Sequence, residues 1–235
     1  MKNRVKITTL EYILDIIYPC YCKGCGKIGE GFCACCVFDN IRKNPPFSTE
    51  KDNLFRKIVV SGMRVDILAE LVSEYKFQAR RYYARALAFY LFLVAKRFFP
   101  DFSRDSKEKY VLVPLPTIRK HIRERGFDHI GRLTRKFSEI SGVPVCPVLK
   151  RRKNTVQVGS DEKTRLEQAK EAYLIDSKAV FDKDSHFILV DDVWTTGATM
   201  RAAGAVLGAE LRRLGVKDIK ISAILLAKNS GQNFS

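Results

Sequence analysis

Apolar residues follow two rhythms along this chain. Helical spacing recurs over 10–18 (Leu10, Ile13, Leu14, Ile17), 65–75 (Leu68, Leu71, Val72), 80–99 (Leu87, Leu91, Val94) and 128–140 (Ile130, Leu133, Phe137). An Ala-rich stretch over 198–214 reads the same way. Pro100, Gly142 and Gly215 supply helix stops. Between these lie short β-branched runs at 58–60, 110–113, 172–175, 186–190 and 219–227. A further run at 143–149 carries Pro144 and Pro147, which demote it to an edge or irregular strand. Strands separated by helices predict an α/β fold with a parallel, doubly wound sheet.

The run at 186–190 is expected to deliver Asp191 and Asp192 to the carboxyl end of a strand, where open α/β sheets bind ligands. Thr195, Thr196, Gly197, Ala198 and Thr199 then lead into a helix. Small hydroxylated residues and one Gly at that junction let successive backbone N–H groups converge on an anion at the positive helix end. Two carboxylates beside such a cradle would repel a bare phosphate. A sugar phosphate, with hydroxyls for the acids and an associated divalent cation, satisfies both demands. Trp194 either stacks on a base or covers the loop.

Six of the seven cysteines fall between residues 20 and 36. Cys22 and Cys25 form one CxxC pair, Cys33 and Cys36 another, and two such knuckles supply four thiolates for a structural, tetrahedral Zn²⁺. Cys20 is an alternative to Cys22, and Cys35 to Cys36. A disulfide cluster and an iron–sulfur cluster are the competing readings. So short a segment cannot build a core, so metal would supply most of its folding energy. Arg119, Lys120, Arg123 and Arg125 follow the 110–113 strand and would suit a pyrophosphate, guanidinium forks matching phosphate oxygens. The polar stretch from Lys150 to Arg165, with Arg152 and Gln157, reads either as a flap that excludes water or as an exposed basic loop. Arg80, Arg81 and Arg85 read as a solvated helix face, and His121, His129 and His186 as isolated packing or surface residues.

Composition narrows the class. Hydrophobic content of 46% and charged content of 29% describe a soluble globular chain, and no apolar stretch is long enough for a bilayer. Glu11 and Asp15 interrupt the first apolar segment, against a signal peptide and for a cytoplasmic location. The expected organisation is an amphipathic helix and zinc module over 1–45, a helical linker or hood over 46–105, and the nucleotide-type core over 106–235. A net charge of +16 accommodates a polyanionic ligand or nucleic acid.

The stretch 188–199 resembles the signature of the type I phosphoribosyltransferases. The cysteine module, Val-Pro-Leu-Pro at 113–116, Arg125-Gly126-Phe127-Asp128 and that stretch stand in an order similar to the ComF family, in which a zinc knuckle precedes a phosphoribosyltransferase-like domain. Gln157, Arg165 and Ala172-Tyr173 also match. Asp128 replaces the usual Asn, and Gln168 stands where Asn is usual. The resemblance implies phosphoribosyl pyrophosphate as ligand, with Mg²⁺. Asp191 and Asp192 would lie on the ribose 2′- and 3′-hydroxyls, and residues 195–199 around the 5′-phosphate. It implies either phosphoribosyl transfer to a nitrogen acceptor or a DNA-uptake factor acting with a helicase or single-stranded DNA. Fold and ligand carry over more securely than reaction does.

Overall fold

The computed structural model describes residues 20–50, 52–78, 80–152 and 172–231. In chain order the elements are α1 (Ala34–Lys43), β1 (Phe47–Thr49), β2 (Ile58–Val60), α2 (Asp66–Phe77), α3 (Tyr83–Phe98), β3 (Tyr110–Pro114) and α4 (Arg119–Arg125). There follow α5 (His129–Ser141), β4 (Leu149–Arg151), β5 (Tyr173–Ile175), β6 (His186–Trp194), α6 (Ala198–Arg213) and β7 (Ile221–Lys228). The helix expected over 10–18 lies outside the described residues, as do Gln157 and Arg165.

One sheet runs in the order β1-β2-β7-β6-β3. Its strands are parallel except β1, which pairs antiparallel with β2 at the edge. The centre, β7, is buried at every position, as a strand covered on both faces must be. Period-two alternation divides the core. Ile188, Val190, Ile224 and Leu226 face Leu87 and Leu91 of α3 and Leu133 and Phe137 of α5. On the opposite face, Phe187, Leu189, Ala223 and Leu225 meet Ala203, Leu207 and Leu211 of α6. Each fully buried Leu or Phe contributes roughly 1.5–3 kcal/mol, so these two layers fix the sheet that carries the site.

Two expectations change. The strand expected to stop at residue 190 continues to Trp194, because β7 goes on pairing with it after β3 has ended: Pro114 is opposite Val190, while Asp191 is opposite Leu225 and Trp194 opposite Lys228. The 172–175 strand does not join the parallel sheet. As β5 it forms an antiparallel pair with β4. The proline-containing 143–149 run touches the sheet through one bridge, Val145 to Leu112.

Candidate functional site

The acid pair occupies the stretch of β6 that has lost β3 as a neighbour, so it opens onto a cleft of about 700 Å³. Adjacent residues of a strand point to opposite faces. Asp192 therefore enters the α2 and α5 side, where Lys76 Nζ lies 2.6 Å and His129 Nε2 3.2 Å from its Oδ2. Its Oδ1 accepts the Val193 N–H at 2.8 Å. Asp191 lines the cleft half-buried, accepting only the Asp192 N–H at 2.9 Å among the described contacts. Burial, then the charge of Asp192, pushes Asp191 up to about 7. Burial would also raise Asp192, but the His129 hydrogen bond and the Lys76 charge hold it well below the usual carboxylate range. Both acids line the cleft, but they are unequal: Asp192 is already satisfied by Lys76 and His129, whereas Asp191 has no cation within salt-bridge distance among the described residues.

The loop after β6 is shaped by Trp194. Gly197 has φ +76°, and any Cβ there would collide with the Trp194 ring, so glycine is required twice over. Trp194 is buried beneath the loop, which resolves its role as cover and not as a stacking face. Gly197 is the N-cap of α6, and Thr195 and Thr199 line the cleft, putting free N–H groups of the first helical turn at the positive end of a 16-residue helix. Thr196 Oγ1 accepts weakly from Ala198 N at 3.4 Å.

Of the four cations expected to meet a pyrophosphate, only Arg125 lines this cleft; Arg119, Lys120 and Arg123 do not. The reason is that these residues form α4, where a 3.6-residue period turns Ile118, His121, Glu124 and Arg125 toward the cleft and Arg119, Lys120 and Arg123 outward. Two further guanidiniums complete the rim, Arg64 before α2 and Arg151 at the end of β4. Arg64 donates to Ser73 Oγ at 2.9 Å, Arg151 to the Tyr173 hydroxyl at 3.2 Å, and Arg125 to His129 Nδ1 at 3.1 Å. Among the described residues none of the three is paired with a carboxylate. Arg152 is exposed beside Arg151. Arg80, Arg81 and Arg85 are exposed, as expected of a solvated face, and Arg81 also donates to the Gly126 carbonyl at 2.9 Å and lies over the Phe127 ring.

Sequence reading missed Lys76 and Arg64, took His129 for an isolated packing or surface residue, and placed Arg151 in the polar stretch that opens at Lys150 rather than on the cleft rim. Gly126, which ends α4 at φ +73°, is the sequence signal that marks residues 119–125 as helical, so that the four cations there could not all face one ligand.

The cysteine cluster stands on the other side of α2. Cys22, Cys25, Cys33 and Cys36 bring their sulfurs within 4.8 Å of one another. A tetrahedral Zn²⁺ with bonds of about 2.3 Å needs sulfurs about 3.8 Å apart, so this donor set fits. Burial opposes a charge on Cys22, yet N–H groups of Cys33, Cys25 and Gly24 bring its thiol down to about 6, the form a metal binds. Gly24 admits Cys36, whose Sγ would be 2.6 Å from a Cβ at that position. Cys20 and Cys35 are outside the four-sulfur group. Lys23 ties the knuckle to α2 through Glu74 at 2.6 Å and Glu70 at 2.9 Å. No described helix is long and apolar enough to cross a membrane.

Comparison with known proteins agrees with this layout. The phosphoribosyl transferase domain family matches residues 122–235. Competence protein F of Haemophilus influenzae is 30% identical over 206 residues, 86% of this chain and 82% of that one. Competence protein ComFC of Bacillus subtilis is 28% identical over 142 residues, 60% of this chain and 54% of that protein. A solved adenine phosphoribosyltransferase from Leishmania tarentolae is similar with a TM-score of 0.35 at 12% identity, over 77% of this chain and 94% of that one. Four clustered cysteines followed by a phosphoribosyltransferase-type sheet and loop, together with the extent of the first of these similarities, show that the chain belongs to the ComF family.

Proposed function

We propose that the cleft binds phosphoribosyl pyrophosphate with Mg²⁺ and transfers its phosphoribosyl group to a nitrogen acceptor. The observation that carries this reading is the lining of one cleft by three guanidiniums that have no carboxylate partner among the described residues, together with Asp191 and a helix N-terminus. A polyanion with a sugar between its charged ends is complementary to that arrangement. Asp191 would accept from the ribose hydroxyls, and residues 195–199 would hold the 5′-phosphate. Arg64, Arg125 and Arg151 would face the pyrophosphate. Magnesium on the ligand would neutralise pyrophosphate charge.

No covalent nucleophile is required. The bond from C1′ to the pyrophosphate oxygen breaks, pyrophosphate leaves with the electron pair, a C1′–N bond forms, and the acceptor loses a proton. The protein contributes position and charge stabilisation. Pyrophosphate release, measured with Mg²⁺ across a set of nitrogen bases, tests this. Turnover should fall at least tenfold in Arg151→Ala, a loss of about 1.4 kcal/mol of transition-state stabilisation. Turnover by wild type with no base in the set would contradict transfer.

The four-cysteine cluster is assigned Zn²⁺ with a structural role, since it lies away from the cleft lining. One zinc per chain, lost together with folding of the module on chelation, is the expected outcome of metal analysis. A role in DNA uptake is favoured by the names of both curated relatives and by the outward cations Arg119, Lys120 and Arg123. Single-stranded DNA or a helicase would be the partner. DNA affinity that falls steeply with salt, and is unaffected by Asp191→Asn, would separate that role from the cleft's.

A further inference from the structure

His129 is a buried ring whose two nitrogens reach different ends of the cleft. Nδ1 lies 3.1 Å from an Arg125 guanidinium nitrogen, and Nε2 lies 3.2 Å from Asp192 Oδ2. A guanidinium can only donate, so Nδ1 accepts and the ring proton sits on Nε2, from which it is donated to the carboxylate. One tautomer therefore serves both contacts.

The backbone beneath the ring is pinned as firmly. His129 is the first residue of α5, whose N-cap Asp128 accepts the Gly131 N–H at 3.1 Å and the Thr117 hydroxyl at 3.0 Å. The Tyr75 hydroxyl donates to the His129 carbonyl at 2.7 Å. On the rim, the Arg125 guanidinium lies over the exposed Phe77 ring at 5.4 Å, so ring face and imidazole together set its direction. A ring that only filled core volume would need neither polar contact.

We propose that His129 is a positioning residue that aims Arg125 at the leaving pyrophosphate and fixes Asp192 beneath the sugar, so that a single imidazole sets the distance between the two halves of the ligand site. This rests on the reading of the cleft given above. Through Asp192 the ring also holds the acid pair in register, because Asp191 accepts the Asp192 N–H.

The two arms are separable by substitution. In His129→Asn the side-chain amide reaches only as far as Nδ1, keeping a partner for Arg125 and losing Asp192. In His129→Gln it reaches as far as Nε2, keeping Asp192 and losing Arg125. Titration with inorganic pyrophosphate reads the first arm, and titration with ribose 5-phosphate reads the second. His129→Asn should weaken ribose 5-phosphate about tenfold and leave pyrophosphate near wild type, while His129→Gln should do the reverse, as expected for loss of one charge-assisted hydrogen bond. ¹⁵N spectra of the imidazole should show Nε2 protonated and Nδ1 bare, with Nδ1 responding to pyrophosphate. Equal weakening of both probes by both variants would mark simple packing and overturn the proposal. So would unchanged affinities in a folded His129→Ala. A wild-type protein that binds neither probe would overturn the reading of the cleft itself, and this inference with it.

Discussion

The two ends of β6 carry nearly the same set of groups and do different things with them. At the amino end His186 bonds Ser222 Oγ through Nε2 at 2.8 Å and faces Glu108 through Nδ1 at 3.1 Å, with Lys220 at 3.6 Å from the same carboxylate. At the carboxyl end His129 faces Asp192 at 3.2 Å, with Lys76 at 2.6 Å. Distances alone would make Ser222, His186 and Glu108 the more suggestive trio, since serine, imidazole and carboxylate follow one another within about 3 Å. Ser222 is wholly buried under the sheet's neighbours, with no exposed surface for a substrate to reach. The other end faces a cleft because β3 stops one residue before the acid pair. Access, set by strand length, decides which network can meet a ligand and which is scaffold.

Asp192→Asn should have the largest effect on that contrast. It leaves Lys76 and His129 without their shared anion in a largely buried place, and should cost about 3 kcal/mol in urea denaturation. A change below about 1 kcal/mol would mean that the carboxylate is not the internal anchor described here. Gly197→Ala, which forces a Cβ against Trp194 at positive φ, should cost more than about 1 kcal/mol and abolish sugar-phosphate binding. At the sealed end, Ser222→Ala should cost about 1–2 kcal/mol by leaving the His186 nitrogen unsatisfied, with ligand affinity unchanged. Altered affinity would show that the two ends communicate.

The ends should also respond oppositely to pH. Asp191 is raised from an ordinary 3.8 to about 7, chiefly by burial. As pH climbs through that window the unfolded chain has released its proton while the folded chain keeps it, so the contribution of Asp191 to stability falls. His186 is lowered from an ordinary 6.5 by burial. As pH drops below 6.5 the unfolded chain takes up a proton that the folded one resists, so stability falls in that direction too. Asp191→Asn should remove the first slope and His186→Gln the second, in melting temperatures measured between pH 4 and 8. Slopes that survive their own substitution would refute the assignment.

Much of this molecule was legible before its coordinates. Helical spacing located α2, α3, α5 and α6 to within a few residues, and Pro100, Gly142 and Gly215 marked the ends of the last three, because both signals depend on local sequence. The cysteine pairs and the loop after β6 were legible for the same reason, each motif being short and continuous. Lys76, Arg64, Arg151 and His129 were not. They come from four separate elements and acquire meaning only where folding brings α2, α5 and β4 to one end of the sheet. The length of β6 was hidden too. Asp191 and Asp192 are polar residues inside a strand, tolerated there because β3 has ended beside them: Asp191 opens onto the cleft, and Asp192, on the other face, meets Lys76 and His129.

The most direct test of the central claim, that Asp191 is the ligand-facing acid of a phosphoribosyl pyrophosphate site, is calorimetric titration of the zinc-loaded protein with that compound, with and without Mg²⁺. Wild type should bind more tightly with Mg²⁺, and Asp191→Asn should lose at least tenfold in affinity, about 1.4 kcal/mol, while melting at or above the wild-type temperature near pH 7. Equal binding by wild type and Asp191→Asn, or no binding by the folded wild-type protein, would contradict it.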